Sequence, residues 1–201
     1  MTIHRQIIAL TKIPVRLQTM KTFIQRPSHN KQTGFTLIEL LTAIIIMGVV
    51  LAIGIPSFRE IIQNQRMGTQ INELVSDLNY ARSEAVKRNS TISTCMRNVA
   101  GTACIGGASW LGGWIVFNDP NDNGTVDGGE IILKVRGAVT GMTSFNLAGG
   151  TRIRYDGQGF ARGFAGTMTL CDSRGNAKRK GITISNTGRV RRSVAADMAN
   201  C

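Results

Sequence analysis

The chain has 201 residues, with 24 lysines and arginines against 12 aspartates and glutamates, and a formal net charge of +12 at pH 7. Its only histidines are His4 and His29, so the rest of the chain lacks the side chain that enzymes most often use as an acid or base. It also contains no nucleophile-elbow or phosphate-loop motif, and these features together argue against an enzyme.

Residues 1–33 carry six basic side chains and no acidic one. A basic segment in front of an apolar run is typical of a leader that stays on the cytoplasmic side of a membrane and takes no part in the fold. Residues 1–34 are therefore predicted to form a cytoplasmic leader. The segment is long for a leader, and Met20 offers an alternative start that gives a shorter one.

The next segment, residues 35–55, is largely apolar, and Glu39 is its only charged residue. As a helix this segment is about 30 Å long, which is enough to cross the hydrocarbon core of a bilayer. A carboxylate inside lipid costs roughly 2–3 kcal/mol or more. Two interpretations are open: an ordinary anchor with Glu39 near the headgroups, or a helix whose Glu39 meets a positive group on another copy of the chain.

Pro56 follows this span and should kink the helix or leave a turn in it, because proline lacks an N–H and clashes with the preceding turn. Residues 58–90 then show apolar positions at three- and four-residue steps, which indicates an amphipathic helix with its charges mostly on the other face. The apolar positions are Phe58, Ile61, Ile62, Ile71, Leu74, Val75, Leu78, Ala81 and Ala85. The charged positions are Arg59, Glu60, Glu73, Asp77, Arg82 and Lys87.

Residues 91–201 are predicted to form a β-rich head, because short runs of strand-forming residues alternate there with glycine and asparagine. Their spacing of about ten residues indicates antiparallel pairing, and the size suits a single core. The predicted class is α+β, with a long N-terminal helix, half transmembrane (35–57) and half amphipathic, packed against an antiparallel sheet. The predicted strands are 91–96, 113–118, 130–135, 143–147, 152–155, 166–171, 181–185 and 189–194.

Four cysteines fall in this head, which the anchor would place outside the cytoplasm, where disulfides persist. Four cysteines allow three pairings. We favour Cys95–Cys104, which closes a short glycine-rich loop, and Cys171–Cys201, which ties the last residue to a strand. Zinc is less well supported, because no Cys-x-x-Cys spacing occurs and both histidines lie in the leader.

Residues 119–130 match the calcium-loop pattern D-x-[DN]-x-[DN]-G-x5-E, with Asp119, Asn121, Asn123 and Glu130 as candidate ligands. The flanking segments are predicted as strands, however, whereas an EF-hand needs helices. Asn, Asp and Gly are also the residues that a hairpin loop requires. The loop is therefore interpreted first as a turn, with calcium as the alternative, and no cofactor is expected.

Basic residues concentrate in residues 134–201, which hold twelve bases and three acids. This imbalance suggests a polyanion partner, since such side chains neutralise phosphates without reading sequence. Arg189 and Arg191 alternate on a predicted strand and so point to one face. The same excess of bases is also expected of a solvent-exposed surface, or of a surface that contacts acidic residues of neighbouring molecules. The candidate basic set also includes Arg152, Arg154, Arg162, Arg174, Lys178, Arg179, Lys180 and Arg192.

The motif Gly-Phe-Thr-Leu-Ile-Glu at residues 34–39 resembles the processing motif of type IV pilins and type II secretion pseudopilins. This resemblance implies that a prepilin peptidase cuts after Gly34 and that the new terminal amine, on Phe35, is methylated. It also implies that Glu39 pairs with the terminal amine of a neighbouring subunit during filament assembly. A plain signal-anchored protein is the alternative.

Three further stretches, at residues 155–159, 169–175 and 184–191, resemble the GspH/FimT group of pilins and pseudopilins, and the resemblance extends over most of the chain from Phe35 onward. It implies a single-pass inner-membrane protein with a periplasmic head that later joins an extracellular pilus beside other pilins. The FimT branch is known for minor pilins that bind DNA during natural transformation through a Gly-Arg-x-Arg motif. Here that motif maps onto Gly188, Arg189 and Arg191.

The expected function is therefore that of a FimT-like minor pilin that captures extracellular double-stranded DNA without sequence preference. The alternative is a structural minor pilin or a GspH-like pseudopilin that only primes or caps filament assembly. Local charge and the Gly-Arg-x-Arg motif favour DNA capture. The predicted DNA-binding residues are Arg174, Lys178, Arg179, Lys180, Gly188, Arg189, Arg191 and Arg192.

Overall fold

The computed structural model describes residues 34–107 and 109–201. The predicted leader, residues 1–33, lies outside the described residues. The chain divides into two compact units, the first ending at Ile46 and the second spanning Met47–Cys201.

Helix α1, Leu37–Arg88, begins immediately after Thr36. The Thr36 hydroxyl accepts a hydrogen bond from the backbone N–H of Glu39 at 3.3 Å, which satisfies one of the free donors of the first turn. Gly34 and Phe35 precede the helix and are exposed, as is Glu39 in its first turn. Within the described residues, α1 is the one helix long and apolar enough to cross a membrane.

Pro56 lies inside α1, and the helix continues without a break to Arg88. Proline cannot donate the backbone hydrogen bond that an interior helical residue normally makes. One residue later, the Ser57 hydroxyl donates to the carbonyl oxygen of Ile53 at 3.3 Å. A side chain thus supplies an extra hydrogen bond to the turn that the proline weakens.

Among the described residues, eight strands follow the helix, and each overlaps a predicted one, with ends that differ by no more than two residues. They form two antiparallel four-stranded sheets rather than one, in the orders β3-β2-β1-β5 and β4-β6-β7-β8. The fold class is thus confirmed, and the single sheet of the prediction is divided in two. The strands are β1 Ile92–Met96, β2 Trp114–Asn118, β3 Ile132–Val135, β4 Ser144–Ala148, β5 Arg152–Tyr155, β6 Gly166–Cys171, β7 Lys180–Ile184 and β8 Val190–Arg192.

The main core lies between α1 and both sheets. Its helical members recur at three- and four-residue steps, so they form one stripe facing the strands. Full burial of a Leu or Ile side chain contributes about 1.5–3 kcal/mol, so this stripe is a major source of the stability of the head. The helical members are Met67, Ile71, Leu74, Leu78, Ala81 and Ala85.

A smaller core covers the other face of the first sheet and consists of Cys95, Ile115 and Phe117. Neighbouring strand residues face opposite sides, so β1 is buried on both of its faces. Cys104 and Val126 pack against this second core. The loop closed by the Cys95–Cys104 disulfide and the Asp/Asn-rich loop, residues 119–130, therefore cover this second core.

Asp77 is fully buried, which contradicts the expectation that it lies on the solvent face of the helix. It follows Leu74 by three residues and so belongs to the apolar stripe itself. Its carboxylate accepts hydrogen bonds from Trp114 Nε1 at 3.0 Å and Arg136 Nε at 2.7 Å, and lies 2.5 Å from Lys134 Nζ. Burial alone would raise the pKa of Asp77, but these donors outweigh it and hold the pKa below its usual value.

Candidate nucleic-acid interface

The Gly-Arg-x-Arg motif forms the turn between β7 and β8 and the beginning of β8. The backbone of Gly188 has a φ of 77°, a left-handed conformation that residues with a side chain rarely adopt. Its N–H donates to the carbonyl oxygen of Ser185 at 2.8 Å, and the N–H of Ser185 donates to the carbonyl oxygen of Arg189 at 3.0 Å. These two bonds close a tight hairpin that presents Arg189 directly after the turn.

Gly188 itself is buried and packs against a second turn that contains Gly159. Arg82 of α1 joins both turns: its Nε donates to the Gly159 carbonyl at 2.9 Å and its Nη2 to the Thr187 carbonyl at 3.1 Å. The glycine of the motif therefore has a structural role. Sequence reasoning missed Arg82, because helical periodicity does not distinguish it from an ordinary exposed base.

Strand β8 is an edge of the second sheet and, in the described part of the chain, pairs with β7 alone. Arg191 lies opposite Thr183, and Arg192 lies opposite the core residue Ile182. Residues that face each other across antiparallel strands share a face, so Arg191 is on the outer face and Arg192 is on the helix side. Arg189 precedes Arg191 by two residues and therefore shares its face. All three arginines are exposed.

The three arginines differ in their charge partners. Arg191 Nη2 lies 3.2 Å from Asp197 Oδ2, and both side chains are partly open to solvent. Arg189 and Arg192 have no carboxylate within ion-pair distance in the part of the chain that the structure describes. The edge therefore carries a net positive charge with one weak, exposed ion pair.

Arg174 and Lys178 bind carboxylates of the protein itself. Arg174 donates through Nη2 to Asp172 at 2.5 Å and through Nη1 to Asn64 Oδ1 of α1 at 2.9 Å, while Lys178 pairs with Glu60. Burial tends to raise the pKa of Asp172, but the bonds from Arg174 lower it below its usual value. Both cations fix the segment after β6 to the helix and have less capacity for an external phosphate.

Arg179 and Lys180 lack a carboxylate partner within the described residues and donate to oxygens of the protein. Arg179 Nη2 donates to the carbonyl oxygen of Ala195 at 2.9 Å. Lys180 Nζ donates to the carbonyl oxygen of Asn64 at 2.9 Å, which ties the start of β7 to α1. Burial, together with the nearby charge of Arg192, lowers the pKa of Lys180.

The predicted residues therefore fall into three groups. Arg189 and Arg191 share the outer face of β8. Arg179, Lys180 and Arg192 border one cleft between α1 and the β7–β8 edge. Arg174 and Lys178 lie against the helix in ion pairs.

The two arginines of β5 belong to a different region. Arg152 Nη1 binds the carboxylate of Asp119 at 2.9 Å, and Arg154 Nε lies 2.8 Å from Asp122. Both guanidinium groups also lie within 6 Å of the Phe164 ring centre, at 4.9 and 5.6 Å. They stabilise the loop beside them and do not extend the β8 edge.

Asp119, the first residue of the calcium-like pattern, is fully buried. It accepts hydrogen bonds from Ser93 Oγ at 2.5 Å and from Arg152, and from the backbone N–H of Asn123 at 3.0 Å. Its oxygens are thus already occupied by donors of the protein. The arrangement is that of a residue that organises a turn.

The other members of the pattern bond to one another. The amides of Asn121 and Asn123 donate to Asp127 Oδ2 at 2.9 and 2.6 Å, and lower the pKa of that carboxyl. Glu130 Oε2 accepts from the backbone N–H of Asp127 at 3.0 Å. Across the described residues, no three His, Cys, Asp or Glu side chains are grouped so that they could hold a metal ion.

Both favoured disulfides, Cys95–Cys104 and Cys171–Cys201, are present. The second one fixes the end of the chain on the outer face of the second sheet, where the N–H of Ala199 donates to Thr169 Oγ1 at 3.1 Å. This C-terminal segment carries Asp197, the partner of Arg191. The disulfide thus holds an acidic side chain beside the basic edge.

Comparisons with known proteins agree with this architecture. Residues 70–188 match the family described as Type II transport protein GspH, and residues 29–55 match the prokaryotic N-terminal methylation motif. Pilin-like protein PilA1 of Thermus thermophilus is 30% identical over 171 residues, which cover 79% of this chain and 96% of the relative. The crystal structure of the type IV minor pilin FimU from Pseudomonas aeruginosa has a TM-score of 0.51 at 18% identity, and the match covers 67% of this chain and 92% of that one.

Proposed function

This chain belongs to the GspH family of pilin-like proteins, and from that membership we propose that it is a minor pilin that binds double-stranded DNA through the β8 edge. Its N-terminal methylation motif and apolar helix are those of a membrane-anchored pilin. DNA captured in this way would be taken up in natural transformation. Its partners would be double-stranded DNA and the other pilins of the filament.

The observation that supports DNA binding is the set of exposed arginines on an open edge strand. Arg189, Arg191 and Arg192 are within four consecutive residues, and Asp197 is the one carboxylate in ion-pair contact with them in the described structure. Arginine forms bidentate bonds to phosphate, and such contacts do not depend on base sequence. The interface would therefore bind duplex DNA without sequence preference and lose affinity steeply with salt.

The N-terminal segment would supply processing and assembly. A prepilin peptidase would cut after Gly34, and the amine of Phe35 would be methylated. Both residues precede α1 and are exposed. Glu39 would then pair with the terminal amine of a neighbouring subunit, which neutralises a carboxylate that is expensive in lipid. The head would face the periplasm before the subunit joins an extracellular pilus.

A purely structural role is the second candidate, and a specific observation favours it. Several bases of the C-terminal half are already bound to carboxylates of the protein, among them Arg174 to Asp172 and Lys178 to Glu60. The strong basic composition therefore overstates the charge available to an external polyanion. In a purely structural role the protein would contact only other pilins, and the exposed arginines of β8 would bind no DNA.

The deciding experiment is a fluorescence titration of the full chain, in a maltoside detergent, against a short mixed-sequence duplex at low and moderate salt. The test variant is Arg189→Gln with Arg191→Gln. The matched control is Arg59→Gln with Arg162→Gln, which removes the same charge from exposed positions outside β8. Thermal melting of each variant checks that folding is intact.

We expect the wild type to bind in a salt-sensitive manner, and the test variant to bind about ten-fold or more weakly with a shallower salt slope. The control variant should lose much less affinity. No binding by the wild type at low salt, or equal losses in the two variants, would reject the β8 interface. The structural role would then be the preferred function.

A further inference from the structure

A cleft of about 230 Å³ lies between α1 and the β7–β8 edge. It opens at the edge of the second sheet, where Lys180 and Arg192 are on the helix side and Ser193 bonds to Thr183 of the outer face. Arg189 and Arg191, which are also on the outer face, do not line it. Of the residues that the structure describes, three basic side chains and no carboxylate contribute to its lining. The main lining residues are Ile71, Arg179, Lys180, Arg192, Ser193 and Met198.

The cations of this cleft have no carboxylate beside them among the described lining residues. Lys180 is partly buried, and its Nζ donates to a backbone carbonyl, that of Asn64, rather than to a carboxylate. Burial and the charges of Arg192 and Arg174 lower the pKa of Lys180, and the charge of Asp172, which is itself bonded to Arg174, opposes this shift only in part. Such repulsion is relieved when an anion binds between the cations.

The donors around the cleft are also incompletely used. Arg179 Nε is buried and has no hydrogen-bond acceptor within the described residues. Buried donors in native proteins nearly always have a partner, so an unpaired one leaves a position for an acceptor such as water, an ion or a ligand. Arg192 has no ion-pair partner in the described structure either. The cleft therefore contains donors and positive charge without the matching acceptor.

We propose that this cleft binds one phosphate group between Arg179, Lys180 and Arg192. Phosphate is the anion that fits this set, because it carries more charge and more acceptor oxygens than a single carboxylate. Arginine adds paired donors, and lysine adds a point charge. Arg192 belongs both to this cleft and to the proposed DNA-binding edge, whereas Arg189 and Arg191 do not line the cleft, so phosphate binding there can be tested without DNA.

Inorganic phosphate is the probe. The full chain in maltoside detergent is titrated by calorimetry, with ionic strength held constant by chloride. Arg192→Gln is the main variant, because this exposed edge residue can be changed without disturbing the core. Arg192→Lys tests whether a restored positive charge restores phosphate binding. Arg189→Gln is the matched control, because it removes the same charge next to the same strand but on the other face of the sheet.

We expect saturable binding by the wild type, about ten-fold weaker binding by Arg192→Gln, and recovery of most of the affinity by Arg192→Lys. Arg189→Gln should change the affinity by about two-fold at most, since exposed charges act weakly at a distance. Absence of saturable phosphate binding, or equal losses in the Arg192→Gln and Arg189→Gln variants, would overturn the proposal.

A second arm identifies the source of the phosphate. DNA binding is measured with and without saturating inorganic phosphate at matched ionic strength. Weaker DNA binding in phosphate assigns the cleft to a phosphate of the DNA backbone, and unchanged DNA binding assigns it to free phosphate. The calorimetric titration contains no DNA, so its result is valid whether or not the protein binds DNA.

Discussion

A Cβ atom on Gly188 would lie 2.1 Å from the carbonyl oxygen of Gly159, so the two turns touch backbone to backbone. Arg82 reaches both turns from the helix and holds them in this contact. The position of the arginine-bearing edge on the head thus depends on a residue without a side chain. Loss of DNA binding in a Gly188 variant would report a displaced hairpin rather than a lost DNA contact.

Gly188→Ala should be strongly destabilising. The backbone there is left-handed, and the added methyl would clash with a backbone atom, so we expect the free energy of unfolding to fall by about 3 kcal/mol or more. Gly163→Ala is the matched control, because Gly163 has a φ of 76° and a Cβ added there would meet no atom within 4 Å. Denaturant unfolding should show a loss of about 1 kcal/mol for that control. Equal losses would contradict the packing role of Gly188.

Asp77→Asn should destabilise the head by about 3 kcal/mol, because it removes one member of a buried ion pair and leaves Lys134 and Arg136 without their anion. Asp197→Asn serves as the comparison, since its exposed pair with Arg191 should contribute less than about 1 kcal/mol. Urea unfolding at neutral pH measures both. A loss in Asp77→Asn no larger than in Asp197→Asn would mean that the buried pair contributes little.

The contribution of Asp77 should also depend on pH. Its pKa is lowered in the folded protein, so its stabilising effect is fully present above the unfolded value of about 3.9. It is lost as the pH falls through the lower folded pKa. The difference in unfolding free energy between wild type and Asp77→Asn should therefore be constant from neutral pH to about pH 5 and shrink below about pH 4. A difference that grows on acidification would contradict this sign.

Asp197→Asn should strengthen DNA binding if the β8 edge is the interface. The substitution frees Arg191 from its carboxylate and removes a negative charge that would repel phosphate. We expect about two- to five-fold tighter binding at low salt, with a smaller gain at higher salt. Glu73→Gln, a charge change on α1, is the control. Equal tightening in both variants would indicate a general effect of net charge.

The two disulfides should contribute unequally to stability. Cys171 and Cys201 are 30 residues apart, whereas Cys95 and Cys104 are 9 apart. Chain-entropy arguments give about 3.7 kcal/mol for the longer loop and about 2.7 kcal/mol for the shorter one. Paired Cys→Ala variants, compared by chemical unfolding, measure the difference. A larger loss from the Cys95–Cys104 pair would show that packing of the second core outweighs loop length.

Secondary structure was predictable because its signals are local. The three- and four-residue steps of α1 and the short runs between glycines identified the helix and all eight strands. The division into two sheets was not predictable, because strand spacing does not reveal which strands pair. Thr36 at the start of α1 could have been recognised from the Thr-x-x-Glu pattern of residues 36–39.

The charge pattern was the least reliable guide to the site. Composition counted Arg174 and Lys178 as free bases, but both lie within ion-pair distance of Glu60, which is more than 100 residues away in sequence. Asp77 was likewise expected in solvent, although its step from Leu74 places it on the buried stripe. Ion pairs between distant segments are set by the tertiary fold, so a count of charges along the chain cannot reveal them.

The short, arginine-rich β8 has a further consequence for a protein that works in a crowded assembly. An open sheet edge is a template on which a strand from another molecule can add, and natural proteins prevent this with short, charged edge strands. Strand β8 has three residues and is flanked and occupied by exposed arginines. Like charge would keep the edges of neighbouring heads from joining into a continuous sheet. Removal of these arginines would therefore create an aggregation-prone surface as well as a weaker binding site.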